Sequence, residues 1–208
     1  MNKIGVLGLQ GSFAEHIAAI EKCGAQAVDI RHSWQLEDVD GLIIPGGEST
    51  AIAKLTIDNP DPIFDTIKKR INSGMPVYGT CMGSIFLAKE IEGSAQGRLA
   101  AMDIKVRRNA FGPQRNSFET SLAIAVLGPE PFPAIFIRAP IVVSAGEDVQ
   151  VLARVEEGIV MARQKNLLVT AFHPEITDDL RVHEYFLSIV EENRILGCRQ
   201  LATEPLTF

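Results

Sequence analysis

Two short segments of this 208-residue chain carry side chains whose type and spacing suit nucleophilic attack on a carbonyl carbon. In the first, Val77-Tyr78-Gly79-Thr80-Cys81-Met82-Gly83, an apolar strand runs into Gly-x-Cys-x-Gly and then into the helical run SIFLAKEI. Small residues on both sides of Cys81 permit the sharp strand-to-helix turn of a nucleophile elbow, which presents the central side chain. A helix N-terminus beside the sulfur favours thiolate, the species that attacks. The second segment is His173-Pro174-Glu175, at the end of the strand-like NLLVTAF. Of the other histidines, His16 falls on the first helix, His32 in a polar loop and His183 on the last helix, and each reads as a surface or packing residue. His173 is therefore the candidate base. Pro174 fixes φ and stiffens the turn, so Glu175 can hold one imidazole nitrogen while the other faces the sulfur.

A third segment, Ile44-Pro45-Gly46-Gly47-Glu48-Ser49-Thr50, is again a strand running into a helix. Two glycines allow close backbone approach to a ligand, and free N–H groups at such a turn can bind the oxyanion formed when a carboxamide is attacked. By itself a Gly-Gly turn says little; beside the elbow and His-x-Glu it says much more.

These segments need a scaffold that brings them together. From residue 3 the pattern is strand, turn, helix: KIGVLGL is an apolar run, Gln10 and Gly11 break it, and Ser12-Phe13-Ala14-Glu15 has the spacing of a capping box. Gly24 can close this helix. Strands follow at about 26 to 31, 41 to 45 and 76 to 80, and helices at about 50 to 57, 62 to 73 and 82 to 91. Apolar strands separated by helices predict an α/β fold: a single-domain, three-layer open sheet, mostly parallel, with helices on both faces and active-site groups at the carboxyl ends of the strands. Residues 104–172 are strand-like with few helical signals, and predict added strands, some antiparallel. A last helix spans about 178 to 196, with Gly197 past its end. The expected organisation is one domain over 1–198 and a C-terminal tail over 199–208.

Hydrophobic residues make up 46% of the chain and charged residues 22%, which predicts a compact globular unit. A net charge of -6 argues against phosphate neutralisation along a nucleic acid. No segment reads as a secretion signal or membrane span. Cys23, Cys81 and Cys198 are odd in number and widely spaced, so neither a disulfide framework nor a zinc site is expected, and a reducing cytoplasm is the expected setting. No metal or tightly bound cofactor is expected.

Taken in order, GVLGLQGSFAEH, PGGEST, GTCMGS, RRNAFGPQ with NSFE, FIRAP and FHPE resemble the class I (triad) glutamine amidotransferases, whose fold is flavodoxin-like. The closer resemblance, over nearly the whole chain, is to the PdxT/SNO family, the glutaminase subunits of pyridoxal 5'-phosphate synthase. It implies Cys81 as nucleophile, His173 as proton shuttle and Glu175 as its orienter, with the N–H groups of Gly47 and Met82 as oxyanion hole. It further implies glutamine contacts at Gly47, Glu48, Ser49, Arg108, Ile137 and Arg138; two arginines suit an α-carboxylate. Met82 and Ser84 stand where the family more usually has alanine and a larger apolar residue. The implied activity is hydrolysis of L-glutamine to glutamate and ammonia, the ammonia passing to a PdxS/SNZ-type synthase subunit. Free subunits of this kind are expected to be weakly active until docked, with the Gln10-Gly11 loop and the first helix as docking elements. Three alternatives share the same residues: a subunit serving another synthase such as the histidine-pathway cyclase, a γ-glutamyl peptidase, and a non-catalytic regulatory or scaffold subunit.

Overall fold

The computed structural model describes residues 1–112 and 117–203, and of 197–203 the backbone alone. Five strands form a parallel block in the spatial order β2 (Gln26–Ile30), β1 (Lys3–Leu7), β3 (Gly41–Ile44), β4 (Val77–Thr80) and β12 (Leu167–Thr170). Every residue of β3, β4 and β12 is buried, as continuous apolar runs require when helices cover both faces.

Alternation along these strands divides the interior in two. Leu42, Ile44, Val77 and Val169 point to one side, against Ile52 and Ala53 of α2 (Ser49–Ile57), Ile63 and Ile67 of α3 (Ile63–Asn72), and Ile85 and Phe86 of α4 (Met82–Leu87). Ile4, Val6, Ile43, Tyr78 and Leu168 point to the other, against Ile20 of α1 (Phe13–Lys22) and Val182, Phe186, Ile189 and Val190 of α5 (Arg181–Thr203). A hairpin of β7 (Ser117–Leu122) and β8 (Phe132–Ile137) packs on this second side through Phe132, Ala134 and Phe136.

Beyond β12 the sheet continues antiparallel through β11 (Gly158–Gln164), β9 (Ile141–Ala145) and β6 (Met102–Arg107), and ends on β5 (Ala88–Ile91), parallel to β6. The strand β10 (Gln150–Val155) forms a hairpin with β11. The mostly parallel sheet with antiparallel additions and helices on both faces is the architecture expected from the sequence. No helix among the described residues is long and apolar enough to cross a membrane.

Three local expectations are corrected. The helix expected over 82–91 stops at Leu87, because residues 88–91 pair with β6 instead; that ladder outweighs a weak local helix preference. The capping box at Ser12 does not form, since the Ser12 side chain makes no hydrogen bond to the helix N-terminus. The last helix, expected to end before Gly197, runs to Thr203; residues 204–208 lie outside the described residues, as do 113–116, which include Pro113 and Gln114 of RRNAFGPQ and Asn116 of NSFE.

Candidate active site

Because β1, β3, β4 and β12 are parallel, the loops leaving them share one edge of the sheet. At the end of β4, Cys81 adopts φ 47 and ψ -106, a conformation that costs on the order of 1–3 kcal/mol for a non-glycine residue and persists only where the surroundings enforce it. Three contacts enforce it here. The Cys81 N–H donates to the Thr170 carbonyl (2.7 Å), and the Cys81 carbonyl accepts from the Ser84 N–H (3.1 Å) and hydroxyl (2.6 Å). Ser84 thus has a role that a larger apolar residue could not fill.

The flanking glycines are required by space. A Cβ on Gly79 would lie 2.7 Å from the Gly83 backbone, and one on Gly83 would collide with the Ile44 carbonyl oxygen. The elbow is therefore clamped against β3 as well as β12. The thiol lies 3.9 Å from the Ile137 carbonyl and opens onto a pocket.

His173 leaves the end of β12, its N–H donating to the Ile135 carbonyl (2.8 Å). Pro174 opens the single 3-10 turn Pro174–Ile176, which folds Glu175 back so that its Oε1 meets His173 Nδ1 at 2.7 Å. The same oxygen accepts the Ser12 hydroxyl at 2.6 Å. A Cβ on Gly46 would lie 2.6 Å from His173 Cε1 and 3.3 Å from Cys81 Cβ, so sulfur-bearing and imidazole-bearing residues converge over a position where only glycine fits. Burial by itself would disfavour the charged ring. Hydrogen bonds to Cys81 and Glu175, and the negative charge of both partners, outweigh it and raise the His173 pKa. Glu175 is opposed by burial too, yet the imidazoles of His16 and His173 and the Ser12 hydroxyl hold its carboxyl well below the usual range.

Behind Glu175 stand two further imidazoles. His16 and His183 are fully buried, 3.0 Å apart from Nδ1 to Nε2, and His16 Nε2 lies 3.5 Å from Glu175 Oε2. Burial lowers the pKa of both, that of His183 to about 3. Depressed histidine values mean that the unfolded chain takes up protons as pH falls through about 6.5 while the folded chain does not. Stability contributed by these two groups is fully present above that pH and is lost progressively below it, by about 1.4 kcal/mol per pH unit for each proton taken up. Glu175 adds a second loss below its ordinary range near pH 4.5. Urea midpoints measured from pH 8 to 4 should therefore begin to fall near pH 6.5, and a flat profile down to pH 5 would contradict the burial of this pair.

The pocket, about 330 Å³, is lined by Gly47, Glu48, Cys81, Met82, Arg108, Asn109, Ile137, Arg138 and His173, a size suited to a small ligand. Of the catalytic, oxyanion-hole and glutamine-contact residues expected from the sequence, only Ser49 and Glu175 do not line it. Ser49 is buried beneath, its carbonyl accepting from Gln96 Nε2 (2.7 Å), while Gln96 Oε1 accepts from Arg108 Nη1 (3.1 Å). The Glu48 carboxylate turns back to cap α2, accepting from the Thr50 and Ala51 N–H groups, and those bonds hold its pKa down.

Sequence reasoning did not single out Gln96, Asn109 and the Ser12–His16–His183 group as site residues. A signal existed for the histidines. His16 is three residues after Phe13 and four before Ile20, and His183 is three before Phe186 and seven before Val190, which places both on the inward stripes of their helices.

Comparison with known proteins identifies the family. The model of the SNO glutamine amidotransferase family matches residues 6–192. A pyridoxal 5'-phosphate synthase subunit PdxT from Pelotomaculum thermopropionicum is 56% identical over 185 residues, 89% of this chain and 93% of the relative. One from Carboxydothermus hydrogenoformans is 54% identical over 188 residues, 90% and 97% of the two chains. Among solved structures, a glutamine amidotransferase shares 45% identity at a TM-score of 0.85, covering 90% of this chain and 98% of its own. The PurLQS structure from Thermotoga maritima, 16% identical with a TM-score of 0.64 over 90% of this chain and 99% of that one, shares the fold. With a match spanning both the elbow and the His-x-Glu turn, this chain belongs to the SNO glutamine amidotransferase family.

Proposed function

We propose that the chain is the glutaminase subunit of a pyridoxal 5'-phosphate synthase, releasing ammonia from L-glutamine through Cys81, His173 and Glu175. The observation that carries the catalytic assignment is the convergence of thiol, imidazole and carboxylate at one sheet edge beside a pocket of amino-acid size. The subunit assignment is carried by PdxT relatives above 50% identity over about nine-tenths of the chain.

In this reading the Cys81 thiolate attacks the carboxamide carbon of glutamine, and the N–H groups of Gly47 and Met82 receive the oxyanion. The His173 imidazolium gives its proton to the departing nitrogen, ammonia leaves, and a γ-glutamyl thioester remains. Neutral His173 then takes a proton from water, the hydroxide attacks the thioester, and the thiolate leaves as glutamate forms. Glu175 keeps the ring in the required tautomer throughout. Arg108 and Arg138 at the pocket wall suit the α-carboxylate of the substrate.

The ammonia goes to a PdxS/SNZ-type synthase subunit, which combines it with a pentose phosphate and a triose phosphate; a cytoplasmic setting accompanies this role. Docking of that partner is read as completing the oxyanion hole. Gln10 Oε1 accepts the Glu48 N–H (3.0 Å), and a Cβ on Gly47 would strike the Gln10 side chain, so the Gln10-Gly11 loop rests directly on the glycine turn. The Ser12 N–H also donates to the Gly46 carbonyl (3.3 Å). Glutamate production, measured with and without the synthase subunit, is expected to rise severalfold on its addition. An unchanged rate would remove the coupling, and no glutamate in either case would remove the glutaminase assignment.

A further inference from the structure

One oxygen of the Glu175 carboxylate takes no part in orienting His173. Glu175 Oε1 serves His173 and Ser12, whereas Oε2 is buried and makes no hydrogen bond within ordinary limits. The group facing it is His16 Nε2 at 3.5 Å, which also lies 3.0 Å from the Thr80 hydroxyl. Thr80 is the residue before Cys81, and its hydroxyl oxygen accepts the Gly46 N–H at 3.0 Å. His16 thus touches the triad carboxylate and, through one threonine, both the elbow and the glycine turn.

One arrangement of protons suits the carboxylate. An ionised carboxylate only accepts hydrogen bonds, so the ring nitrogen facing it is the one that carries hydrogen. His16 is then protonated on Nε2, and its Nδ1 accepts from His183 Nε2–H across 3.0 Å. Tyr78 stands edge-on to both rings, with centroids 6.1 and 6.3 Å away, and its hydroxyl is occupied with Thr170 at 2.9 Å. Neither imidazole lines the substrate pocket.

We infer that His16, set in its tautomer by His183, is a positioning residue for the glutaminase reaction: its Nε2–H steadies the rear oxygen of Glu175 and the Thr80 hydroxyl together. The inference rests on the triad reading given above. A carboxylate held at its front oxygen alone can pivot about that oxygen, and the imidazole it orients pivots with it. Loss of the rear donor is therefore felt in turnover, while His16 itself does not line the pocket that takes the substrate.

The test compares His16→Met, which keeps volume and removes the donor, with His16→Gln, whose amide nitrogen can stand near the place of Nε2. Both are assayed in complex with the synthase subunit. The full chain labelled with nitrogen-15 at histidine supplies ring tautomers and the His173 Nδ1–H resonance. His16→Met is expected to lower kcat about tenfold to a hundredfold, as loss of an orienting outer partner does elsewhere, with KM for glutamine unchanged and the His173 Nδ1–H signal displaced. His16→Gln should restore most of kcat. A folded His16→Met protein with normal kcat would overturn the inference. So would equal losses in both variants with an undisturbed His173 signal, or a wild-type His16 protonated on Nδ1. If neither variant folds, the wild-type tautomer decides. An active Cys81→Ala protein would remove the triad reading instead, a result separable from the tautomer of His16.

Discussion

Replacing Cys81 with alanine is expected to reduce glutamate formation by at least about 10⁴-fold, to the level that pocket and oxyanion donors provide without a nucleophile. The fold should survive. The sulfur lies 3.9 Å from the Ile137 carbonyl and faces the His173 imidazole, while the bonds that hold the elbow run through the Cys81 backbone to Thr170 and Ser84. Alanine meets the same φ of 47 with the same Cβ, so the elbow gains no new strain. Glutamate assayed in the assembled complex, with a melting curve alongside, makes the check: a folded variant that still releases ammonia would mean that another group attacks the amide.

Glu175→Gln is the second large effect, with kcat lowered by about 10⁴-fold on the precedent of a triad carboxylate exchanged for its amide. Glutamine has nearly the same shape but only one accepting atom. If its oxygen faces His173, its NH₂ meets the rear of the site, where the inferred tautomer of His16 presents a second N–H. If it faces His16, its NH₂ meets His173 Nδ1 and drives that ring into the wrong tautomer. Either orientation also removes the negative charge that helps keep His173 cationic, so the His173 pKa should fall in an imidazole titration. An unaltered kcat, or an unaltered titration, would show that Glu175 is only a buried neighbour. The two substitutions differ in kind: Cys81→Ala leaves the pocket without a thiol, while Glu175→Gln leaves a thiol that reacts slowly.

Much of this site was legible in the residue order. The elbow declares itself because a turn as tight as that at Cys81 tolerates only small neighbours, and the collisions foreseen at Gly79 and Gly83 are the physical form of that constraint. His173 and Glu175 are two residues apart with a proline between them, so their pairing at 2.7 Å is a local matter that a dipeptide's stiffness nearly settles. The parallel sheet followed from apolar runs alternating with helical ones. The short strands β5 and β9 did not stand out. Four or five residues carry little periodicity, and what makes them strands is the neighbour they pair with.

What the sequence by itself determined, then, was the family and the class of fold, together with a set of candidate reacting groups, because these are written in spacings of a few residues. Only tertiary structure decided what the reacting groups lean on. Ser12 lies 163 positions from Glu175, and His16 lies 167 from His183. A hydroxyl that reads as a helix cap donates to the carboxylate, and two histidines that read as surface or packing residues stand buried behind it. Local pattern records the backbone angles and periodicity a segment prefers; the partner of a polar side chain is chosen by the order in which distant strands and helices are laid side by side.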